Sequence, residues 1–260
     1  MKTKLDISQA LLKKYPEISD WSIVVAYRGS IAHGLYIPNR DVNSIDDKDV
    51  ISICIPPIPY YFGLEEYGSR GTKEIKYKEW DIVVYEFKKC INLLIQGNPN
   101  ILSILWLDKD SYISISSEGK QLIAASNLFI GKHVYHSFVG YAKGQLHRMT
   151  HLAFQGYMGD KRKRLVQKFG YDTKNAAHLI RLLRMGIEFL NQGRLFVKRK
   201  DSESLLAIKR GEWSLNQVKK EADILFKKAE QAYIKSKLPD RPDYDKINSL
   251  CVNILEKHFK

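Results

Sequence analysis

The stretch AYRGSIAHGLYIPNRDVNSIDDKDVISICIPP, residues 26–57, decides which fold and which chemistry we expect of this chain. A glycine–serine pair, Gly29 and Ser30, follows an apolar run, and four acidic residues fall between positions 41 and 49, before a second apolar run. Like charges at this spacing repel one another, so the cluster costs stability unless something neutralises it. We therefore expect a cation to neutralise these carboxylates.

Short apolar runs rich in β-branched residues predict strands at 21–28, 49–55 and 80–85. Gly29 ends the first strand, and a group of prolines ends the second. From about residue 118 onward the pattern becomes helical, and each segment carries one apolar stripe. The sequence thus predicts an N-terminal α/β unit followed by a helical unit.

The chain is strongly basic, with 42 Lys and Arg against 29 Asp and Glu and a formal net charge of +13. This balance favours a polyanionic partner such as RNA, DNA or a nucleoside triphosphate, although a solvated lysine-rich surface would give the same composition. The basic stretches lie in the later part of the chain, at 161–164, 174–184, 193–200 and 208–210. An acidic site followed by a basic second half is expected of an enzyme that uses metal ions on an anionic substrate.

The three cysteines, Cys54, Cys90 and Cys251, are far apart and lie within apolar patterns. An odd number without metal-binding spacing predicts reduced core thiols in a cytoplasmic protein. No run of ~18 apolar residues and no secretory signal is visible, so we expect no membrane association.

Three carboxylates are candidates for the site. Asp47 and Asp49 enter the second strand, where alternating side chains share a face, and paired carboxylates suit Mg²⁺. Asp81 opens a later apolar strand, where a buried carboxylate needs a partner. Asp46 offers an alternative register, but Asp47 and Asp49 keep Val50 in phase with the strand. Taken singly, Asp47 and Asp49 are explained equally well by a solvated acidic turn, and Asp81 by the end of a strand in water.

Taken together, the features predict phosphoryl chemistry. Carboxylates of this kind hold two metal ions, one activating the attacking oxygen and one stabilising the leaving group. A third carboxylate is often the base that takes the hydroxyl proton. The amides of the turn and the hydroxyl of Ser30 would hold a triphosphate.

The chain resembles a known family in these segments and well beyond them. The stretches GSIAHGLY, SIDDKDVISICIPPIPYYFGL and WDIVVYEFKKCINLLIQGNPN are similar to nucleotidyltransferases of the DNA polymerase β superfamily. PPIPYYFGL, GNPN and YDTKNAAHLIRLL resemble, more narrowly, the branch associated with RNA repair. The resemblance implies an α+β fold, with a mixed sheet and flanking helices as a catalytic domain over 1–115. It implies a helical bundle that binds nucleotide and acceptor over 116–260.

The resemblance also implies roles for individual residues. Gly29 and Ser30 match the phosphate-binding turn, while Asp47, Asp49 and Asp81 match the catalytic, metal-binding carboxylates of a two-Mg²⁺ site that Mn²⁺ could also fill. The sequence departs from the family in its longer loop before Asp47, over about 37–45, and in having a lysine between the paired aspartates.

The helical half supplies candidate nucleotide contacts. Lys174, His178 and Arg181 are spaced four and three residues apart and therefore share one helix face, with Arg184 following at the next step. Such a face could clamp a triphosphate, or it could be a solvated basic surface. The resemblance favours nucleotide contact by Lys174, His178 and Arg181. His33, in the loop after Ser30, is a further candidate for nucleotide contact and equally a plain loop histidine.

The sequence thus predicts an Mg²⁺-dependent nucleotidyltransferase that moves a nucleoside monophosphate from an NTP to a hydroxyl, with an RNA end as acceptor and pyrophosphate released. Two alternatives stay open: transfer to a protein side chain or small molecule, and a non-catalytic RNA-binding module that keeps the fold. Loss of a carboxylate would be expected of the second, and all three are present. The oligomeric state is left open.

Overall fold

The computed structural model describes residues 9–38, 41, 44, 46–151 and 159–260. Most of the predicted long loop before Asp47 lies outside these residues, as does the start of the chain. The three predicted strands are present within one residue of their expected ends, and two further strands complete the sheet. The strands are β1 Ser22–Tyr27, β2 Lys48–Cys54, β3 Thr72–Tyr77, β4 Trp80–Glu86 and β5 Tyr112–Ile115.

The sheet is mixed, with the strand order β3-β4-β2-β1-β5. Strands β2 and β4 run parallel, whereas the other neighbouring pairs are antiparallel. The α+β fold and the mixed sheet are therefore confirmed. Strand β3 was not predicted, because its sequence, TKEIKY, is mostly polar and charged with Ile75 as its one buried residue, as suits a half-solvated edge.

Twelve α-helices are described, and the longer ones fall in the second half of the chain, as the apolar stripes predict. They are α1 Gln9–Lys14, α2 Gly29–Ala32, α3 Pro59–Phe62, α4 Phe87–Ile95, α5 Pro99–Leu102, α6 Ser117–Ala124, α7 Val134–His151, α8 Asp160–Phe169, α9 Thr173–Gln192, α10 Ser202–Lys209, α11 Leu215–Lys235 and α12 Tyr244–His258. None of the described helices has both the length and the apolar character needed to cross a membrane.

The two faces of the sheet pack against different groups of residues. One face, with Ile51 and Ile53 of β2, belongs to the larger core cluster, which continues into Phe138 of α7 and Phe189 of α9. The other face packs on a smaller cluster that includes Leu11 of α1. The helical half therefore covers one face of the sheet only. Because one apolar core joins sheet and helices, the division at residues 115 and 116 stays a prediction.

Helix α9 is the centre of the helical half, and most of its residues are buried. Its capping residue, Asp172, accepts a hydrogen bond from the backbone N–H of Asn175, at 3.1 Å. Side-chain acceptors of this kind satisfy the first N–H groups of a helix and fix where it begins. The N-terminal turn of α9 is thus held in place, and with it Lys174.

Candidate active site

Strands β2 and β4 bring two of the predicted carboxylates together. In their parallel pairing, Asp49 is the direct partner of Asp81. Side chains alternate along a strand, so Asp49 shares the face of Ile51 and Asp81 shares that of Val83. This is the face that the helical half covers. Asp47 is exposed and directly precedes β2.

The electrostatics of Asp49 reflect this crowding. The pKa of its carboxyl is raised to about 6, chiefly by burial, and the charges of Asp81 and Asp47 act in the same direction. Arg28 and Lys174 oppose the rise. Without a bound cation, the carboxylate form of Asp49 is therefore disfavoured, as expected of like charges gathered away from water.

The turn between β1 and α2 lies directly against this carboxylate. Gly29 has φ +59°, and a side chain at its position would collide with the carboxylate of Asp49. The backbone N–H of Arg28 donates to the carbonyl of Asp49 at 3.0 Å, and its guanidinium Nη2 lies 3.7 Å from Asp49 Oδ1. Position 29 therefore requires glycine for two reasons, the left-handed backbone conformation and the close approach of the Asp49 carboxylate.

The hydroxyl of Ser30 is buried and has no hydrogen-bond partner among the described residues. The following helix, α2, is a single turn. A phosphate at this place would therefore meet the turn's amides and a serine hydroxyl, with little contribution from a helix dipole. An orphaned buried hydroxyl costs free energy until a partner arrives, which suits a ligand-binding position.

The start of helix α9 faces the acidic residues. Lys174 Nζ lies 3.7 Å from Asp46 Oδ1, and its charge also lowers the pKa of Asp49. One turn further on, the Nε2 atom of His178 is buried without a partner in the described part of the chain. Burial, together with the charges of four cations, holds the pKa of His178 well below its usual range; these cations are Arg181, Arg148, Lys174 and Arg162. Basic groups from three helices thus act on His178, and Lys174 among them lies near the acidic residues.

The structure brings His33 and Arg181 together, and the two side chains contact each other directly. His33 is buried, its Nδ1 donates to the carbonyl of Val197 at 2.8 Å, and its Nε2 accepts from Arg181 Nη1. This arrangement fits a neutral ring, and burial followed by the Arg181 charge keeps the pKa of His33 well below its usual range. Both ring nitrogens are engaged within the protein.

Arg181 keeps further donors beyond its bond to His33. Burial, with Arg199 adding, lowers the pKa of Arg181 to about 9, and no carboxylate pairs with it in the described ranges. Its neighbours Arg184 and Arg199 are different, because both are paired with carboxylates of the helical half, including Asp201. Arg181 is thus a charge that lacks its counterion.

Asp46 does not belong to the carboxylate site, because its side chain makes other contacts. Its side chain is fully buried, it accepts from the N–H of Ile37 at 2.8 Å, and it forms an ion pair with Lys209 at the end of α10. Lys209 also donates to the carbonyl of Leu35 at 2.8 Å. The alternative metal register through Asp46 is therefore disfavoured. The role of Lys209 was not predicted, and its only signal in the sequence was the basic stretch at 208–210.

No three His, Cys, Asp or Glu side chains within the described ranges stand as a ready-made ion cage. This does not argue against Mg²⁺, which in nucleotide enzymes is held by one or two carboxylates together with substrate phosphates and water. The oxygen donors of Asp47, Asp49 and Asp81, the raised pKa of Asp49 and the close glycine turn fit such an ion.

Comparison with known proteins identifies the family. Residues 9–253 match the RlaP family, the RNA repair pathway DNA polymerase beta family. The chain belongs to this family and is a nucleotidyltransferase of the polymerase β type. No match was found among the curated proteins.

Among solved structures, the chain is similar to a nucleotidyltransferase-like protein from Exiguobacterium sibiricum 255-15. The similarity covers 86% of this chain and 72% of that one, with 11% sequence identity and a TM-score of 0.31. A likeness at this level carries no argument about the site.

The buried pair of Asp46 and Lys209 predicts a strong coupling in stability. Changing either residue alone, Asp46→Asn or Lys209→Met, leaves a buried charge without its partner and should cost about 3–5 kcal/mol. The double variant should cost clearly less than the sum of the two. Urea unfolding of the four proteins measures this. The more exposed pair Lys132–Asp240 is the control, and its coupling should be far weaker. Additive losses at Asp46 and Lys209 would contradict the assignment.

The raised pKa of Asp49 predicts a pH dependence for the metal-free protein. Between pH values near 4 and 6 the carboxyl of Asp49 is protonated more fully in the folded state than in the unfolded state, so its contribution to stability rises as the pH falls through this range. From pH 7 to pH 5, the wild type should gain about 1 kcal/mol relative to Asp49→Asn. Urea unfolding in the presence of a chelator measures it, and parallel pH profiles of the two proteins would refute the shift.

Proposed function

We propose that the chain transfers a nucleoside monophosphate from an NTP to a hydroxyl at an RNA end and releases pyrophosphate. The observation that carries this proposal is the pairing of Asp49 with Asp81 beside the Gly29 turn, opposite the cations of α9. Family membership supports the reaction class, and the RNA acceptor is our inference from the basic second half of the chain.

Asp47, Asp49 and Asp81 would hold Mg²⁺, or Mn²⁺ in its place. When bound, the ions neutralise the charge that develops on the attacking and leaving oxygens. Two properties of this chain support the assignment. Burial, with the charges of Asp81 and Asp47 adding to it, raises the pKa of Asp49, and Asp49 lies against a turn whose serine hydroxyl lacks a partner among the described residues. A cation and a phosphate would satisfy both.

The reaction itself exchanges one bond at phosphorus for another. The acceptor oxygen forms a bond to the α-phosphorus, and the bond from that phosphorus to the oxygen bridging to the β-phosphate breaks. Asp81 is our candidate for the base that takes the hydroxyl proton, since it faces the same cleft as Asp49 and is not buried. Pyrophosphate leaves with the electron pair.

The helical half would hold the triphosphate. Lys174 is placed to act as a point charge near the acidic residues, and Arg181 keeps donors that a phosphate could accept. His178 Nε2 is a buried polar atom that a nucleotide could engage. We propose that His33 acts through Arg181: as a neutral acceptor it orients the guanidinium without competing for the phosphate's charge.

Replacing both Asp47 and Asp49 by Asn should abolish transfer without unfolding the protein. Losing several kcal/mol of transition-state stabilisation corresponds to a fall of about 10³-fold or more. The assay follows labelled NTPs onto RNA with a free terminal hydroxyl, in Mg²⁺ or Mn²⁺. The control variant, D20N/D223N, removes two exposed carboxylates elsewhere and should keep full activity.

Circular dichroism and urea unfolding would verify that the D47N/D49N variant is folded. Transfer at the wild-type rate by that variant would defeat the carboxylate assignment. Label that appears on protein or on a small molecule, and never on RNA, would replace the RNA acceptor with one of those alternatives.

A further inference from the structure

A basic groove of about 340 Å³ is lined by the segment whose Val197 carbonyl accepts a hydrogen bond from His33. Its walls are the segment 194–200, between α9 and α10, and the residues Trp106 and Asp108. This segment is the GRLFVKRK stretch of the sequence, one of the basic clusters of the second half.

The segment 194–200 sorts its side chains in an alternating pattern. Leu195, Val197 and Arg199 are buried. The residues between and beside them face outward, with Arg194, Lys198 and Lys200 exposed and Phe196 half-buried. In an extended chain, alternate side chains are about 6.5–7 Å apart. The outer face is therefore a strip of three cations with one aromatic ring among them.

The charge of this strip is largely uncompensated. The buried Arg199 is neutralised by Glu188 and Asp201. Lys198 lies 3.8 Å from Asp108, but both side chains are mostly exposed, and such pairs contribute little.

The other two outward cations have no such partner. Neither Arg194 nor Lys200 pairs with a carboxylate in the described part of the chain. Instead, the Arg194 guanidinium lies over the ring of Phe196, 5.0 Å from its centre. A strip that keeps its positive charge in this way attracts a polyanion.

The groove is joined to the candidate site through His33. The carbonyl of Val197 accepts from His33 Nδ1, and the N–H of Arg199 donates to the carbonyl of His33 at 3.2 Å. His33 caps the single turn of α2 that begins with Gly29 and Ser30. The segment that lines the groove is therefore anchored beside the turn at which the phosphates are proposed to bind.

We infer that this groove binds a single-stranded RNA segment and leads its terminal hydroxyl to the carboxylates. The three exposed cations would contact successive phosphates, and Phe196 with Trp106 would stack on a base, the combination used by proteins that bind single strands without sequence preference. The inference rests on the proposed function and names the surface that selects its acceptor. An acidic protein segment would satisfy the cations but leave the aromatic rings unused.

The test measures binding of a 5′-fluorescein-labelled single-stranded RNA dodecamer by anisotropy, between 50 and 200 mM KCl. The groove variant R194E/K198E/K200E should weaken binding at least tenfold, and its log–log salt slope should be shallower by about 2, since three phosphate contacts are lost. The matched control, K219E/K220E/K227E on α11, carries the same change of charge on exposed residues and should weaken binding less than threefold.

A third variant separates stacking from charge. Phe196→Ala should weaken RNA binding by about 5- to 100-fold, the range for one stacked base, and leave the salt slope unchanged. Affinity for a fluorescent NTP should stay within twofold of wild type in every groove variant. Should the triple variant fail to fold by circular dichroism, Lys200→Ala and Arg194→Ala, each on an exposed side chain, replace it.

Three results would overturn the inference. The first is no RNA binding by the wild type, and the second is equal weakening of RNA binding by the groove and control variants. The third is an unchanged RNA affinity in Phe196→Ala together with competition by polyglutamate that is as strong as competition by unlabelled RNA. The last result would point to an acidic protein partner. The binding comparison does not depend on transfer. If the wild type binds RNA through the groove but labels no acceptor, the proposed function fails and the groove stands.

Discussion

The parallel pairing of β2 and β4 is the constraint from which the rest of the site follows. It sets Asp49 beside Asp81, on the face of the sheet that the helices cover, where the two charges are partly withdrawn from water. A carboxylate placed in this way is stabilised either by taking up a proton or by binding a cation. The surrounding groups of the fold suit a bound cation. The Gly29 turn closes on one side, and Lys174 approaches from the helical half.

Contacts between the two halves of the chain keep this geometry. The buried pair of Asp46 and Lys209 holds the end of the loop before β2 against α10, only three residues from Asp49. The contacts from Arg181 through His33 to Val197 likewise hold the turn at Gly29 and Ser30 to the helical half. Buried charges and polar groups of this kind add little net stability, but they disfavour arrangements in which they lose their partners. We interpret them as the means by which the helices keep a fixed position over the carboxylates.

The sequence was sufficient for the fold class and for three of the five strands, because apolar β-branched runs and one-sided helical stripes are local signals. The sequence places Asp49 and Asp81 in one predicted site at the starts of two strands, but their direct pairing depends on a register between strands that no local pattern shows. Strand β3 was missed, because it is mostly polar and charged and lies at an edge, where its pairing with β4 decides its conformation. The partners of Asp46, His33 and Arg181 come from 148 to 164 positions away, and no local pattern carries that information. The roles of the site residues themselves stay predictions.

The most direct test of the central claim is a crystal structure with Mn²⁺ and a non-hydrolysable NTP analogue, with the metal located by its anomalous scattering. The account predicts at least one anomalous peak within ligand distance of Asp49, beside Asp47 or Asp81, with the triphosphate between the Gly29–Ser30 turn and Lys174. A nucleotide bound elsewhere, or manganese bound without any of these three aspartates, would contradict it.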